Sequence, residues 1–383
     1  PLFRSRDLYR RHSQPMATES VGKRMKADII IGANYGDEGK GTVVARLTKM
    51  SANVLNILTN GGSQRGHSIL TEDGSMTIQH FGSGTYHGAD SYYGPEYILN
   101  PMQFVKEYTE LIRKPEHIYR DCRCRWSTPY DVMANLIDEE QRGRKASCGM
   151  GIWFTIRRCN QTPTMLFDDF MNSPEKWVKY LVGVRSYYER MMTIPDTWLD
   201  TWMSEGVINH FIRDCMDMES LTEALPLSEL TTYEHLIFEN GQGLLLSDTG
   251  KDTADTTPSD TGIFYGLRMA RECGITDITA HYVTRPYLTR HGDGEILRHG
   301  GRTDTNLRDI AASIGEDRTN HYNDHQGEFR YGYLNLDLLR ERVIQDSRGC
   351  NIALEVTHCD EMDRESEFRK EFEKVNCIDT AMV

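Results

Sequence analysis

Apolar runs that stop in glycine-rich polar turns recur along this chain, and their order predicts its architecture. The first run, "ADIIIG" at 27–32, predicts a strand, and the apolar spacing of "GTVVARLTKM" predicts a helix that begins near Lys40. "NVLNIL" leads into "TNGGSQRGHS", a second strand ending in glycines. "EHLIFENGQGLLLSD" predicts a third, "TDITAHYVTRPYLTR" a fourth and "CNIALEVTHCDEMD" a fifth. "LNPMQFVKEYTELIRK" reads as a helix with Asn100 as N-cap and Pro101 at its first position. Strands that end in polar turns and alternate with helices predict an α/β fold: a largely parallel central sheet, helices on both faces, and a P-loop-like first βα turn. Ligands of such sheets gather at the carboxyl ends of the strands, where every motif discussed below falls.

Composition narrows the partners. The chain has 383 residues, 38% hydrophobic and 26% charged, ordinary for a globular protein and too apolar for disorder. Residues 1–25 are basic and lack an apolar core, which predicts a flexible extension followed by one α/β domain over 26–383. A net charge of −13 disfavours a general grip on nucleic acid, whose sequence-independent part comes from Lys and Arg. No stretch approaches the roughly 20 apolar residues that cross a bilayer, so no membrane partner is expected. Nine cysteines without a paired framework point to reduced thiols and a cytoplasmic setting, and Cys122-Arg-Cys124 lacks the second ligand pair of a zinc site.

The first turn is a near miss to a Walker A loop. Asn34 stands where the first Gly belongs, and Gly41 follows Lys40, so that Thr42 comes one place late. Gly36, Gly39 and Gly41 still let backbone N–H groups approach phosphates, and Lys40 adds positive charge at a helix start. A tight strand-to-helix turn with a solvated Lys is the plain alternative. Asp37 and Glu38 argue against it, because carboxylates beside phosphates need a metal or a proton-transfer role to offset their repulsion. Asp37 can ligate Mg²⁺ or take a proton from a group that must become nucleophilic toward phosphorus. In the second turn Gly61, Gly62 and Gly66 permit close approach, and His67 can donate to a transferring phosphoryl oxygen.

Gly-Asp-Glu-Gly-Lys-Gly followed one strand later by Gly-Gly-x-x-x-Gly-His resembles the adenylosuccinate synthetase family. "FENGQGLLLSD" is similar to the family's Phe-Glu-Gly-Ala-Gln-Gly turn, and "TTPSDTG" follows at the family's spacing. "ASCGMGIW" and "VTHCDEMD" match more loosely in order and position. The resemblance implies a ligase that uses a nucleoside triphosphate and Mg²⁺ to phosphorylate the 6-oxygen of a purine nucleotide, then lets the amine of L-aspartate displace that phosphate. Asp37 would take the N1 proton and hold Mg²⁺ together with the Gly66 carbonyl. Lys40 and His67 would stabilise the moving phosphoryl group, and Gln242 would orient the purine O6. Gly36, Glu38, Gly39, Gly41, Thr42, Gly62 and Gln64 would line the nucleotide site. Ser147, Cys148 and Thr257 would hold the 5′-phosphate, Arg285 and Arg330 the aspartate and phosphates, and Asp360 the triphosphate's base. Arg157 or Arg158 would reach into a neighbouring subunit's site, which implies a homodimer.

Three departures shape the substrate expectation. Gln64-Arg65 replaces the family's Asn-Ala, the arginine run of the aspartate loop is thinned to "QGEFRYGYLN", and the Gly-Pro-Asp-Arg turn that helps hold guanine is absent. A shortened chain of this kind resembles the viral branch of the family, which aminates dGMP toward 2-aminoadenine nucleotides, with ATP or dATP as donor. IMP with GTP is the alternative, and the retained Asp37 pulls toward it, because the viral branch often carries a small residue there. Two other classes compete: a phosphate-binding regulator without turnover, and a P-loop NTPase acting on macromolecules.

Overall fold

The computed structural model describes residues 25–71, 74–143, 147–247, 256–291, 296, 329–359 and 380–382. The strands are β1 (Lys26–Gly32), β2 (Val54–Gly62), β3 (His67–Thr71), β4 (Gly74–Ile78), β5 (Asp90–Leu99), β6 (Ile118–Arg120), β7 (Arg125–Trp126), β8 (Glu223–Ala224), β9 (His235–Gly243), β10 (Asp277–Thr284), β11 (Leu288–His291), β12 (Phe329–Gly332), β13 (Asn351–Val356) and β14 (Thr380–Met382). Ten of them form one sheet in the order β14-β13-β10-β1-β9-β2-β5-β6-β8, with β7 beside β5. Every ladder of this sheet is parallel. β3–β4 and β11–β12 are separate antiparallel pairs.

Both faces are covered, as continuous apolar strands require. Ile30 points to one face, against Val43, Val44 and Leu47 of α1 (Lys40–Lys49). Ile29 and Ile31 point to the other, against Leu267 and Ala270 of α9 (Phe264–Glu272) and Leu339 and Val343 of the helix Leu336–Asp346. Asn100 caps α2 (Pro101–Glu110) as its sequence predicts, accepting from the Gln103 N–H at 3.1 Å. A further helical layer carries α3 (Pro129–Arg142) and α4 (Ile152–Gln161), and then α5–α8 between Phe167 and Leu221. It packs against β5 and α2 through an aromatic core that includes Trp126, Tyr130, Phe170 and Phe211. No described helix is long and apolar enough to cross a membrane.

The fourth predicted strand divides. β10 stops at Thr284 and β11 begins at Leu288, paired with β12 instead of the main sheet. Pro286 lies in the break and has no N–H for a ladder.

A charge network is buried between the sheet and α1. Asp28 is bonded to His235 Nε2 at 2.6 Å and to His281 Nε2 at 3.1 Å, His281 Nδ1 to Glu355 at 2.9 Å, and Arg46 of α1 donates to Glu355 at 2.7 Å. Burial pushes the Asp28 carboxyl up, but the two histidines hold it well below its usual range. Burial likewise pushes His281 down, and Asp28 and Glu355 bring it above its ordinary value. The depressed carboxyl therefore adds stability above its unfolded pKa of about 4, and that stability is lost as pH falls below it. Asp28→Asn should cost about 1–3 kcal/mol at neutral pH. Thermal melts should show the gap to wild type narrowing at pH 3; equal gaps at pH 3 and pH 7 would limit Asp28 to a role of shape.

Candidate active site

The carboxyl ends of β1, β2, β9, β10 and β13 meet around the first turn. Gly36 and Gly39 adopt left-handed conformations with φ of +98° and +82°, and Gly39 is the residue on which α1 starts. The two acids of the turn separate. Glu38 faces inward: its Oε1 accepts from the N–H groups of Asn34 at 3.0 Å and Gly36 at 2.8 Å, and its Oε2 lies 3.5 Å from Lys40 Nζ. Burial lifts its carboxyl above the ordinary value, with Lys40 and the N–H donors opposing. Asp37 faces outward at φ 59°, its side chain 33% exposed against 2% for Glu38, with Oδ2 3.5 Å from His291 Nε2. One acid braces the turn and the other is presented by it.

Neighbouring strand ends hold this turn in place. Arg285, buried after β10, donates from Nε to the Asp37 carbonyl at 2.7 Å. Thr357, after β13, donates to the Glu38 carbonyl at 2.6 Å. The Gln242-Gly243 turn presses so closely that a Cβ on Gly243 would fall 2.4 Å from the Asn34 carbonyl oxygen. Gln242 itself sits in the left-handed region at φ 63°, a conformation uncommon outside glycine. Its Oε1 is buried without a hydrogen-bond partner, as is that of Gln64. Two orphaned amide oxygens at the ends of adjacent strands mark polar contacts that a ligand would complete.

The second turn is organised by a residue sequence reading did not single out. Glu239 of β9 is fully buried and accepts from Ser83 N–H at 2.9 Å, Ser83 Oγ at 2.6 Å and His67 Nδ1, while Arg65 Nη2 lies 3.2 Å away. Burial pushes this carboxyl up, yet Arg65 and His67 pull it far below its ordinary value. Burial lowers the His67 pKa and Glu239 opposes that. With Nδ1 engaged, Nε2 is the ring atom left for a ligand. An arriving phosphoryl group would join Glu239 in favouring the imidazolium, in which Nε2 donates. His67→Asn should lower turnover about a hundredfold, the scale of losing one positioned donor; an unchanged rate would make His67 structural.

Other predicted residues are placed less uniformly. Thr42 lies in the first turn of α1 and Gly41 is buried there; Gly62 packs against Ile152 of α4; Gly66 is exposed; Thr257 is buried and donates its N–H to the Leu246 carbonyl at 2.8 Å. Cys148 Sγ contacts the Gln64 carbonyl at 3.2 Å, joining the 147–151 turn to the second glycine turn. The Ser147 hydroxyl lies 2.6 Å from Glu139 and also bonds Asn135, so its own chain engages it. Arg330 stands opposite Arg290 in the β11–β12 ladder, and Arg290, also unremarked in the sequence, stacks 4.7 Å over the Tyr35 ring. Asp360 lies outside the described residues.

One expectation is corrected. Arg158 does not reach out: it is 2% exposed and forks onto both carboxylate oxygens of Asp131 at 2.7 and 2.9 Å. A helix shows only part of its circumference to solvent, and on α4 the exposed arginine is Arg157, stacked 5.1 Å over Trp153.

Asp37, one third exposed, and exposed Gly66, with its backbone carbonyl, are oxygen donors on two glycine turns. Such a sparse, hard set fits Mg²⁺, which takes its remaining positions from water and phosphates.

Fold and site together define a parallel α/β protein whose glycine-rich turns at the strand ends present an outward carboxylate and a carboxylate-anchored histidine. The chain belongs to the adenylosuccinate synthetase family, whose model matches residues 29–369. The adenylosuccinate synthetase of Picosynechococcus sp. is 26% identical over 279 residues, 70% of this chain and 61% of that protein. That of Dehalococcoides mccartyi is 29% identical over 126 residues, 32% of this chain and 29% of that protein. The chain thus spans less than two thirds of the length of either of these two relatives. Two solved structures share the fold. Fully ligated adenylosuccinate synthetase from Plasmodium falciparum aligns with a TM-score of 0.64 at 18% identity, over 86% of this chain and 76% of that one. Cyanophage S-2L succinoaminodeoxyadenylate synthetase, bound to dGMP and to dATP as an energy donor, aligns with a TM-score of 0.65 at 14% identity, over 91% and 89%.

Proposed function

We propose that this chain joins L-aspartate to C6 of a 6-oxopurine nucleotide, driven by a nucleoside triphosphate, through a 6-phosphoryl intermediate. The observation that carries this reading is the division of labour in the first turn, with Glu38 buried as a brace and Asp37 presented beside the Gln242 turn. A mere phosphate cradle has no use for an outward carboxylate. A base at that place removes the N1 proton, so that O6 attacks the terminal phosphorus; the O6–P bond forms as the bridging P–O bond of the triphosphate breaks. Lys40 and His67 stabilise charge on the moving group. The aspartate amine then attacks C6, and the C6–O bond breaks to release phosphate. Asp37 and the Gly66 carbonyl would hold Mg²⁺, which supplies charge neutralisation between the phosphates.

For the acceptor we favour dGMP with ATP or dATP. Support comes from the near-complete coverage of the cyanophage enzyme and from the buried Arg65, whose stem packs beside Gly241, next to Gln242. IMP with GTP is the second reading, favoured by the Asp37 carboxylate itself. We also read the chain as a cytoplasmic homodimer in which Arg157, on the exposed face of α4, reaches the second copy's site. The test is a product assay with aspartate and Mg²⁺ that crosses IMP, GMP and dGMP with GTP, ATP and dATP and follows the succinylated nucleotide by mass. Product from dGMP with ATP or dATP supports the first acceptor, product from IMP alone the second, and none from any pair overturns the ligase reading.

A further inference from the structure

Asn34, where a Walker A loop has glycine, is 1% exposed and uses all its polar groups in four directions. Its N–H donates to Glu38 at 3.0 Å, inside the turn. Its carbonyl accepts from the Leu245 N–H at 2.8 Å, in the segment after Gln242. Its Nδ2 donates to Thr284 Oγ1 at 2.9 Å, at the end of β10. Its Oδ1 accepts from Arg342 Nη2 at 2.7 Å, on the helix Leu336–Asp346. A glycine could supply the first two bonds and neither of the others.

Arg342 is unusual in its own right. Its guanidinium forms no ion pair with a described carboxylate, its Nε is buried without a partner, and Glu38 of the turn is the carboxylate whose field reaches it. Such a cation, 308 residues from its acceptor in sequence, needs a reason for its place. Stability gives a poor one, because a partly buried arginine with no ion pair among the described residues is costly. The turn gives a better one. Lys40 is matched by Glu38 at 3.5 Å, so that pair adds no net charge toward a triphosphate, and Asp37 subtracts one. Arg342 adds a positive charge behind the turn and ties down the residue on which its shape depends.

We propose that Arg342 is a positioning residue for phosphoryl transfer, acting through Asn34 to hold the 34–39 turn against the Gln242 turn in the geometry that binds the triphosphate. The proposal rests on the ligase reading for the reaction, while triphosphate binding tests it independently. In calorimetry on the full chain with Mg²⁺ and ATP, dATP or GTP, Arg342→Met and Asn34→Ala should each weaken binding of whichever triphosphate the wild type holds by about 10-fold or more, the scale of a lost charge-assisted hydrogen bond. Because the two residues act in one chain of contacts, the double variant should bind no more than about twofold worse than the weaker single variant. Arg342→Lys keeps charge without the fork and should recover part of the loss. In the product assay the KM for aspartate should stay within about twofold while kcat/KM for the triphosphate falls. Losses that multiply in the double variant, or single variants that bind as wild type does, would overturn the proposal. So would binding losses that only track lowered melting temperatures. A wild type that binds triphosphate but forms no succinylated product would sink the ligase reading and leave this binding cycle decisive.

Discussion

Replacing Asp37 by Asn should reduce formation of the succinylated nucleotide by at least about a thousandfold, within the range expected for loss of a general base, while the fold and the triphosphate site persist. The position makes Asn the informative substitution. Asp37 holds φ at 59°, a left-handed conformation that Asn tolerates and Ala does not, so Asn removes the charge without straining the turn. The side chain is one third exposed, with His291 Nε2 3.5 Å away, so little packing depends on it. The backbone carbonyl, which Arg285 holds, is unchanged. Circular dichroism and melting temperature should match wild type, and rapid-mixing assays should show loss of the chemical step. Asp37→Ala should abolish product as well, with an added stability cost of about 1–3 kcal/mol from the backbone. Turnover near wild type in Asp37→Asn would remove Asp37 from the mechanism and leave only a metal or shape role. Glu38→Gln is the contrasting variant, since its damage should appear in the melt because Glu38 braces the turn from inside.

Which parts of this architecture were legible in the sequence follows from how local each cause is. β1, β2, β9, β10 and β13 announce themselves because each is an apolar run ended by glycine or polar residues, and α2 because its cap and proline are contiguous. β5 hides, because Gly94-Pro95 interrupts "DSYYGPEYIL" and reads as a turn. In the fold the pair sits where the β2–β5 register shifts between Leu58 and Asn60, and a bulge absorbs the proline. The glycine turns, with Asp37, Lys40 and His67 in them, stand out because they lie within a few residues of one another, and Gln242 through the likeness of its turn to the family's. Arg157 and Arg158 could not be told apart, since only the packing of α4 decides which one meets Asp131. Nor could Arg342 or Arg65 be placed, because their partners lie on distant segments. Glu239 did carry a signal: a carboxylate inside the apolar run "HLIFEN" must find cations or donors once buried.

That buried carboxylate leads to the other large expected effect. Glu239→Gln keeps the volume of the side chain but places an NH₂ group among the inward-pointing donors Ser83 N–H, Ser83 Oγ and His67 Nδ1, beside the Arg65 cation. One amide oxygen cannot serve them all, and Arg65, itself 3% exposed, is left as a buried cation without its anion. Breaking a buried pair in this way costs about 3–5 kcal/mol, which should lower the melting temperature by roughly 5 °C in a chain of this size. Turnover should fall at least about a hundredfold, because the imidazole loses both its orientation and the negative charge that supports its protonated form. A second substitution separates the two losses. Arg65→Met removes the stranded cation, so the Arg65→Met/Glu239→Gln double variant should melt closer to wild type than Glu239→Gln alone. Its turnover should stay low, since His67 still lacks its anchor. Recovery of stability without recovery of rate would assign Glu239 to the histidine; recovery of both would assign the defect to the unpaired arginine and leave His67 able to work without a carboxylate behind it.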